Sequence, residues 1–137
     1  MGGTESHRGF SINQAGPRDP LTGFPIGGNA LFFNTLEFRV PLAENRLSFV
    51  FFHDAGNVFS TIGKMRLLKV TQSSPSDFDY TAHALGAGIR YRTPVGPIRF
   101  DIAYNLNPTR FQVGIAPQQE VRELSRFQFF VSIGQSF

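Results

Sequence analysis

Residues 97–106 read Pro-Ile-Arg-Phe-Asp-Ile-Ala-Tyr-Asn-Leu, and their alternating pattern decides the fold class. Bulky apolar side chains occupy every second position, namely Ile98, Phe100, Ile102, Tyr104 and Leu106. The positions between them are charged, polar or small, namely Arg99, Asp101, Ala103 and Asn105. Successive side chains of a β-strand point to opposite faces of its sheet, so this period of two predicts a strand with one apolar and one polar face.

Similar alternation on both sides of this stretch predicts a series of antiparallel strands. The predicted strands cover residues 30–41, 46–59, 82–94, 97–106 and 126–137. In the first of them, Leu36 and Phe38 point to the apolar face and Glu37 points to the polar face. In the second, Asp54 lies on the polar face, although the apolar run at 50–52 blurs the alternation.

The connections between the predicted strands alternate in length. The long ones are the Gly- and Pro-rich loop 1–29 and the polar segments 60–81 and 107–125, and the first of these segments has room for a short helix at 64–69. Strands of about ten residues cross a bilayer when tilted, and outer-membrane barrels carry long loops at one rim and short turns at the other. The pattern therefore predicts an all-β, antiparallel transmembrane β-barrel fragment.

Composition excludes several other classes of protein. The 137 residues contain no Cys, which excludes a disulfide framework and Cys-ligated zinc. The net charge of +3 comes from scattered Arg residues, so no nucleic-acid partner is predicted. No apolar run reaches the roughly 18 residues of a membrane-spanning helix, and no signal peptide is visible. A soluble antiparallel sandwich explains the apolar alternation, but not the charged face repeated on successive strands or the terminal Phe137.

The number of predicted strands is too small for a closed barrel. Bacterial barrels begin at about eight strands, and each unsatisfied backbone group at an open edge costs several kcal/mol in lipid. We therefore expect the chain to be the C-terminal part of a larger barrel and to lack its true N-terminus. The alternative is that it pairs with other copies.

Several short motifs occur in a fixed order along the chain. They are Arg8-Gly9-Phe10, Gly27-Gly28-Asn29-Ala30, Leu36-Glu37-Phe38, the Asp-Ala-Gly-Asn-Val-Phe of 54–59, the Gly-Ala-Gly-Ile-Arg-Tyr of 86–91, the Thr-Pro-Val-Gly-Pro-Ile-Arg of 93–99 and the final Ser132-Ile133-Gly134-Gln135-Ser136-Phe137. In this order and spacing the chain resembles the C-terminal part of the barrel of BamA/TamA-type outer-membrane protein assembly factors, in the bacterial surface-antigen superfamily.

The resemblance implies a fold, a location and partners. It implies the last five strands of a 16-stranded barrel behind periplasmic POTRA domains, with residues 1–29 as an extracellular loop. It implies a non-enzymatic factor of the bacterial outer membrane that inserts β-barrel client proteins, without a cofactor. Its partners would be outer-membrane lipid, the clients and assembly lipoproteins bound through upstream domains. The alternatives are a polypeptide-secretion barrel of the same superfamily, the barrel anchor of a fused patatin-like lipase, and a soluble β-rich binding module.

The resemblance also implies a role for the Arg8-Gly9-Phe10 tripeptide. In the family, the loop Arg folds back into the lumen and pairs with acidic residues of the barrel wall, which here are Glu37 and Asp54. The strand periodicity independently turns both carboxylates inward. Two alternatives remain: Arg8 is an ordinary solvated turn residue, or Glu37 pairs with an Arg of a neighbouring strand while Asp54 is hydrated. His7 stands where the family usually has Val or Ile.

The last strand has a second implied role, as the insertion signal and the seam of the barrel. The residues that carry it are Phe129, Val131, Ile133, Gly134 and Phe137. Phe137 would be the terminal aromatic of the signal, and Gly134 would let the strand bend at a seam that opens. The alternative for Gly134 is an ordinary strand position.

Other candidate sites are weaker. The histidines, His7, His53 and His83, are far apart in sequence and lack metal-ligand spacing, so no metal site is predicted. The inward carboxylates have no accompanying nucleophile and base, so no catalytic residue is predicted. We expect Arg90, Arg92 and Arg99 to line the lumen and to pair with Asp101 and Glu37.

Overall fold

The protein is all-β, and its strands pair antiparallel throughout. The computed structural model describes residues 1–3, 6–44, 46–115 and 117–134. Its strands are β1 (Ala30–Pro41), β2 (Leu47–Phe59), β3 (Ala82–Thr93), β4 (Gly96–Asn105), β5 (Arg110–Val113), β6 (Glu120–Glu123) and β7 (Phe127–Ile133). The main sheet has five strands in the order β1-β2-β3-β4-β7, and β5 and β6 form a separate hairpin. The predicted fold class is confirmed, and the main sheet does not close on itself within the described residues.

Cross-strand register fixes which side chains share a face of the main sheet. Thr35 lies opposite Asp54, Asp54 opposite Ala84, and Ala84 opposite Asn105. The neighbouring row on the same face joins Glu37 to Phe52 and then to Gly86. We call this the inner face, and the alternation predicted from sequence places both carboxylates on it.

The apolar run in β2 resolves into two faces. Val50 and Phe52 are buried on the inner face, whereas Phe49 and Phe51 are exposed on the other, outer face. Large apolar side chains are exposed along the outer face of every strand of the main sheet, for example Leu36, Phe38, Leu85, Ile102 and Phe129. Such a continuous apolar surface is far larger than isolated exposed residues on a soluble domain, and it is typical of strands that face lipid.

The N-terminal loop folds back against the inner face. Phe10 and Ala15 from the loop pack with Tyr80 and Ala82 in the buried cluster of this face, and Val58 lies against them. The core of the described chain therefore lies between the loop and the sheet. The outer face keeps no cover among the described residues. No helix in the described part of the chain is both long and apolar enough to cross a membrane.

The connection 60–81, which has room for a short helix at 64–69, forms no α-helix there. A single 3₁₀ turn, Ile62–Lys64, begins without a side-chain cap. Beyond it, the carbonyl groups that would continue a helix bind elsewhere: Thr81 Oγ1 donates to the Arg66 carbonyl at 3.0 Å, and the Thr81 N–H donates to the Lys69 carbonyl at 2.7 Å. Bonds from Thr81, which immediately precedes β3, therefore take the place of helical ones.

Two further expectations about the C-terminal half need correction. The segment 107–125, predicted to be an irregular connection, contains the β5–β6 hairpin, in which Phe111 lies opposite Arg122. The last predicted strand was to include Gly134, but β7 ends at Ile133 and Gly134 follows with a φ of +79°. That angle lies outside the range of an extended strand. Residues 135–137 lie outside the described part of the chain.

Candidate functional site at the loop tip

Arg8 reaches from the loop into the inner face and binds the two acidic residues predicted for it. Its Nε and NH2 groups donate to Oδ2 and Oδ1 of Asp54, each at 2.8 Å, and its backbone N–H donates to Oδ2 at 2.9 Å. Its NH1 group donates to Oε1 of Glu37 at 2.7 Å. Thr35 Oγ1 also donates to Asp54 Oδ1, at 2.9 Å. The structure therefore brings together the three charged residues that the sequence singled out.

The pairing of Arg8 with Asp54 is shielded from water. Arg8 is 1% exposed and Asp54 is 0% exposed, so the solvated-turn alternative for Arg8 and the hydrated alternative for Asp54 do not describe this structure. The guanidinium also lies over the ring of Phe52, 3.4 Å from its centroid. Burial would lower the pKa of Arg8, but the bonds and charge of Asp54 and then Glu37 raise it above its usual value. Arg8 therefore stays a cation at any physiological pH.

A third acidic residue on the inner face, Asp101, extends the cluster. Asp101 is buried in β4, pairs closely with Arg90, and accepts a bond from Arg99 Nε at 3.0 Å. The Arg8 NH1 group lies 3.8 Å from Asp101 Oδ2. As expected from the sequence, Arg90 and Arg99 pair with Asp101. Because charges that are paired and hydrogen-bonded tolerate burial, the cluster gives the loop tip a single favourable position.

Glu37 binds the loop and also lies near two Arg residues of the inner face. Besides Arg8, it lies near the NH2 groups of Arg39 at 3.5 Å and Arg90 at 3.9 Å. Arg39 lies on the same strand as Glu37, and Arg90 lies on β3, which β2 separates from β1. The alternative in which Glu37 pairs with an Arg of a neighbouring strand is therefore not realised among the described residues. Arg92, also expected to line the lumen, lies on the same face of β3 as Arg90 and is exposed near the short β3–β4 turn.

Three glycines, one in the loop tip and two in β3, allow the loop tip to pack closely on the inner face. A Cβ on Gly86 would lie 2.2 Å from Phe52 Cζ, and one on Gly88 would lie 1.9 Å from Asp101 Oδ1. A Cβ on Gly9 would lie 2.8 Å from the Cβ of Ala84. Distances this short would force the neighbouring atoms to move, so the Gly-Ala-Gly of β3 leaves room for the Phe52 ring next to Arg8 and for the Asp101 carboxylate that binds Arg90 and Arg99. The sequence showed these glycines as part of a motif, but nothing in it indicated their role.

His7 packs behind the tip. Its Nδ1 accepts the Gly9 N–H at 3.1 Å, so its Nε2 carries the proton donated to the Ala82 carbonyl at 2.9 Å. The ring meets Phe10 edge-on, with 5.0 Å between ring centroids. Burial lowers the pKa of His7, which fits this neutral tautomer. Asn105 Nδ2 completes the turn with a 3.0 Å bond to the Gly9 carbonyl. His7, which stands where the family usually has Val or Ile, therefore has a structural role.

The residues predicted for the insertion signal lie apart from this site. Phe129, Val131 and Ile133 point to the outer face of β7 and are exposed, Phe129 by 64%. Gly134 lies after the strand, and its N–H donates to the Pro97 carbonyl at 2.8 Å. Phe137 lies outside the described residues.

Two of the histidines meet on the outer face, although they are far apart in sequence. His53 Nε2 lies 3.0 Å from His83 Nδ1, and the rings are stacked. The β2–β3 register explains the contact, because Ala55 lies opposite His83 and His53 opposite Leu85. Among the described residues, no group of three His, Asp or Glu side chains is arranged to hold a metal ion.

Comparison with known proteins places this geometry in a family. The family described as the Omp85 superfamily domain matches residues 1–137. The chain belongs to the Omp85 superfamily. The family consists of β-barrel proteins of the bacterial outer membrane, and the apolar outer face and polar inner face of this chain are typical of the wall of such a barrel.

Two curated relatives of this Omp85 chain carry the name outer membrane protein assembly factor BamA. The protein from Nitratidesulfovibrio vulgaris is 29% identical over 141 residues, which cover 100% of this chain and 15% of that protein. The protein from Neorickettsia risticii is 31% identical over 99 residues, which cover 70% of this chain and 12% of that protein. The chain thus spans a small part of the length of these relatives. At the level of the family, these relatives support a role in outer-membrane protein assembly.

Proposed function

We propose that this Omp85 chain is the C-terminal barrel wall of a factor that inserts β-barrel client proteins into the outer membrane. The observation that carries the proposal is the contact of buried Arg8 with buried Asp54 and with exposed Glu37, which we call the loop lock. In the proposal the loop lock holds the loop 1–29 against the inner face, so that the barrel wall keeps one shape while client strands assemble beside it.

The chemistry of such a factor is strand pairing and not bond breaking. An exposed strand edge presents unpaired N–H and C=O groups that can template another strand. In the described sheet β7 is an edge strand, with β4 as its partner on the other side. In the proposal, β7 forms the seam at which clients add, Phe129, Val131, Ile133 and Phe137 form the insertion signal, and Gly134 allows the strand to bend.

The proposal includes partners and excludes catalysis. The partners are outer-membrane lipid along the apolar outer face, client barrel proteins at the seam, and assembly lipoproteins held by domains outside this sequence. The carboxylates of Asp54 and Asp101 are bound by Arg side chains, which supports a structural role for them over acid–base work. A polypeptide-secretion barrel or the barrel anchor of a lipase would have the same wall structure. The domains upstream of the barrel would distinguish these two alternatives from an assembly factor.

The test is complementation by the full-length protein that contains this sequence. In a strain whose other copy is depleted, Arg8→Ala should lower the amount of folded, heat-modifiable barrel proteins in the outer membrane several-fold. The control is Arg66→Ala, because Arg66 is an exposed Arg of the loop 60–81. Normal barrel levels with loss of one exported polypeptide would contradict the assembly proposal and favour secretion.

A further inference from the structure

Arg18 is a buried cation without a counter-ion among the described residues. It lies in the loop 1–29 and is 6% exposed. Its backbone forms an isolated antiparallel β-bridge with Pro25 of the same loop. Its NH1 group donates to the Gly23 carbonyl at 2.8 Å, and its NH2 group donates to the carbonyl and Oε1 of Gln14 at 2.6 and 3.0 Å. All three acceptors are neutral. The buried Nε has no hydrogen-bond partner among the described residues.

The carboxylates closest in sequence or in the adjoining loop are engaged elsewhere. Asp19 Oδ1 accepts the Leu21 N–H at 2.8 Å. Asp77 pairs with Lys69, and although burial would raise the pKa of Asp77, this pairing and two backbone N–H bonds lower it to about 2. No Asp or Glu in the described ranges lies within ion-pair distance of Arg18.

The nearby phenol does not supply the missing charge either. Burial raises the pKa of Tyr80 to about 12, so Tyr80 is neutral at physiological pH. The ring of Phe111, 4.4 Å from the Arg18 guanidinium carbon, offers only the weak negative potential of its face. Burial accordingly lowers the pKa of Arg18. Buried charges in proteins are normally paired, because an unpaired one costs several kcal/mol of desolvation.

A cavity lies beside this unpaired cation, where three loops meet. Its volume is about 200 Å³. Its lining comes from the loop 1–29, the connection 60–81 and strand β5, namely Arg18, Pro20, Pro75, Ser76, Phe78 and Gln112. An engineered apolar cavity of about 150 Å³ takes up benzene, so this one has room for a ring that carries one small substituent.

We propose that this cavity binds a small organic monocarboxylate, whose carboxylate group is the counter-ion that Arg18 lacks. The prolines and Phe78 provide apolar walls for the body of the acid, and Gln112 and Ser76 provide further hydrogen-bonding groups. A single guanidinium balances one negative charge, which favours a monocarboxylate over a phosphate that carries about 1.5 to 2 charges at pH 7. A bound acid would connect the loop 1–29, the connection 60–81 and strand β5 at the rim of the sheet opposite the short turns.

The experiment is calorimetric titration of the purified full-length protein in detergent with sodium benzoate. We expect saturable binding to one site. Benzyl alcohol, which has the same ring without the charge, should bind at least tenfold more weakly. Arg18→Gln should lower the benzoate affinity at least tenfold, and Arg66→Gln, at an exposed Arg, should leave it unchanged.

A second variant keeps the test valid if Arg18→Gln does not fold. Ser76→Asp places a carboxylate in the cavity lining, so it should provide the counter-ion internally and abolish benzoate binding while the folded barrel persists. The proposal is overturned if the unmodified protein shows no saturable benzoate binding. It is also overturned if a folded Arg18→Gln or Ser76→Asp variant binds benzoate as tightly as the unmodified protein does.

Discussion

Arg8 and Asp54, which lie 46 residues apart in sequence, share three hydrogen bonds: two from the guanidinium and one from the backbone N–H of Arg8. The backbone bond means that the pairing fixes the path of the chain as well as the position of a side chain. A bidentate guanidinium–carboxylate pair is also geometrically specific, because both groups are planar. The pair therefore holds the loop tip in one orientation on the inner face.

Removing one member of this pair should destabilise the barrel strongly. Asp54→Asn leaves the Arg8 guanidinium buried with only part of its charge balanced, and breaking a buried pair in this way costs about 3–5 kcal/mol. The measurement is urea unfolding of the full-length protein in lipid vesicles. Glu120→Gln is the control, because Glu120 is exposed in the hairpin. Equal stability of the two variants would show that the pair contributes little.

A methyl group at Gly86 should displace the loop tip. Gly86→Ala places a Cβ 2.2 Å from Phe52 Cζ and 2.4 Å from the Ile102 carbonyl oxygen. Overpacking of this kind costs about 1–3 kcal/mol, and the displaced ring no longer lies flat under Arg8. Gly63→Ala is the matched control, because a Cβ there meets nothing within 4 Å. Urea unfolding and protease sensitivity of the loop 1–29 measure the effect, and an unaffected Gly86→Ala variant would refute the role assigned to Gly86.

Docking of the loop should weaken below neutral pH because of His7. Burial lowers the pKa of His7 in the folded state, below the value of about 6.5 of an unfolded chain. Between these two values the unfolded state binds more protons, so stability is complete above pH 6.5 and falls as the pH decreases. Stability measured between pH 5 and 7.5 should show this decline, and His7→Gln should flatten it. An equal slope in both proteins would assign the decline to another group.

The two faces of β7 should respond differently to a new charge. Phe129 is exposed on the outer face, and its neighbour Gln128 points inward. An Arg on the lipid face near the middle of a bilayer costs about 2–4 kcal/mol, whereas one on the luminal face is tolerated. Phe129→Arg should therefore lower the stability of the barrel in vesicles, and Gln128→Arg should not. The same loss for both would contradict the assignment of the faces.

The period of two was sufficient to place strands and faces, because each long strand contrasts an apolar and a polar side. It therefore placed Glu37 and Asp54 inward correctly. It could not identify their partner, since that contact depends on how a loop folds across the sheet, and the resemblance supplied Arg8. The short strands β5 and β6 were missed because four residues show too little alternation to be recognised.

Features that depend on register or on distant contacts had no local signal. The contact of His53 with His83 follows from the β2–β3 pairing, which the sequence does not reveal. The bond from His7 to Ala82 spans 75 residues. That no described carboxylate pairs with Arg18 depends on where the loops place Asp19 and Asp77, which the sequence does not reveal.

The most direct test of the loop lock is a double-mutant cycle in the assembly assay. Arg8→Gln, Asp54→Asn and the double variant are compared by the amount of folded client barrel protein in the outer membrane. Partners in direct contact couple, so the double variant should be no worse than the more harmful single one. If the two losses multiply instead, Arg8 and Asp54 act independently and the loop lock is wrong.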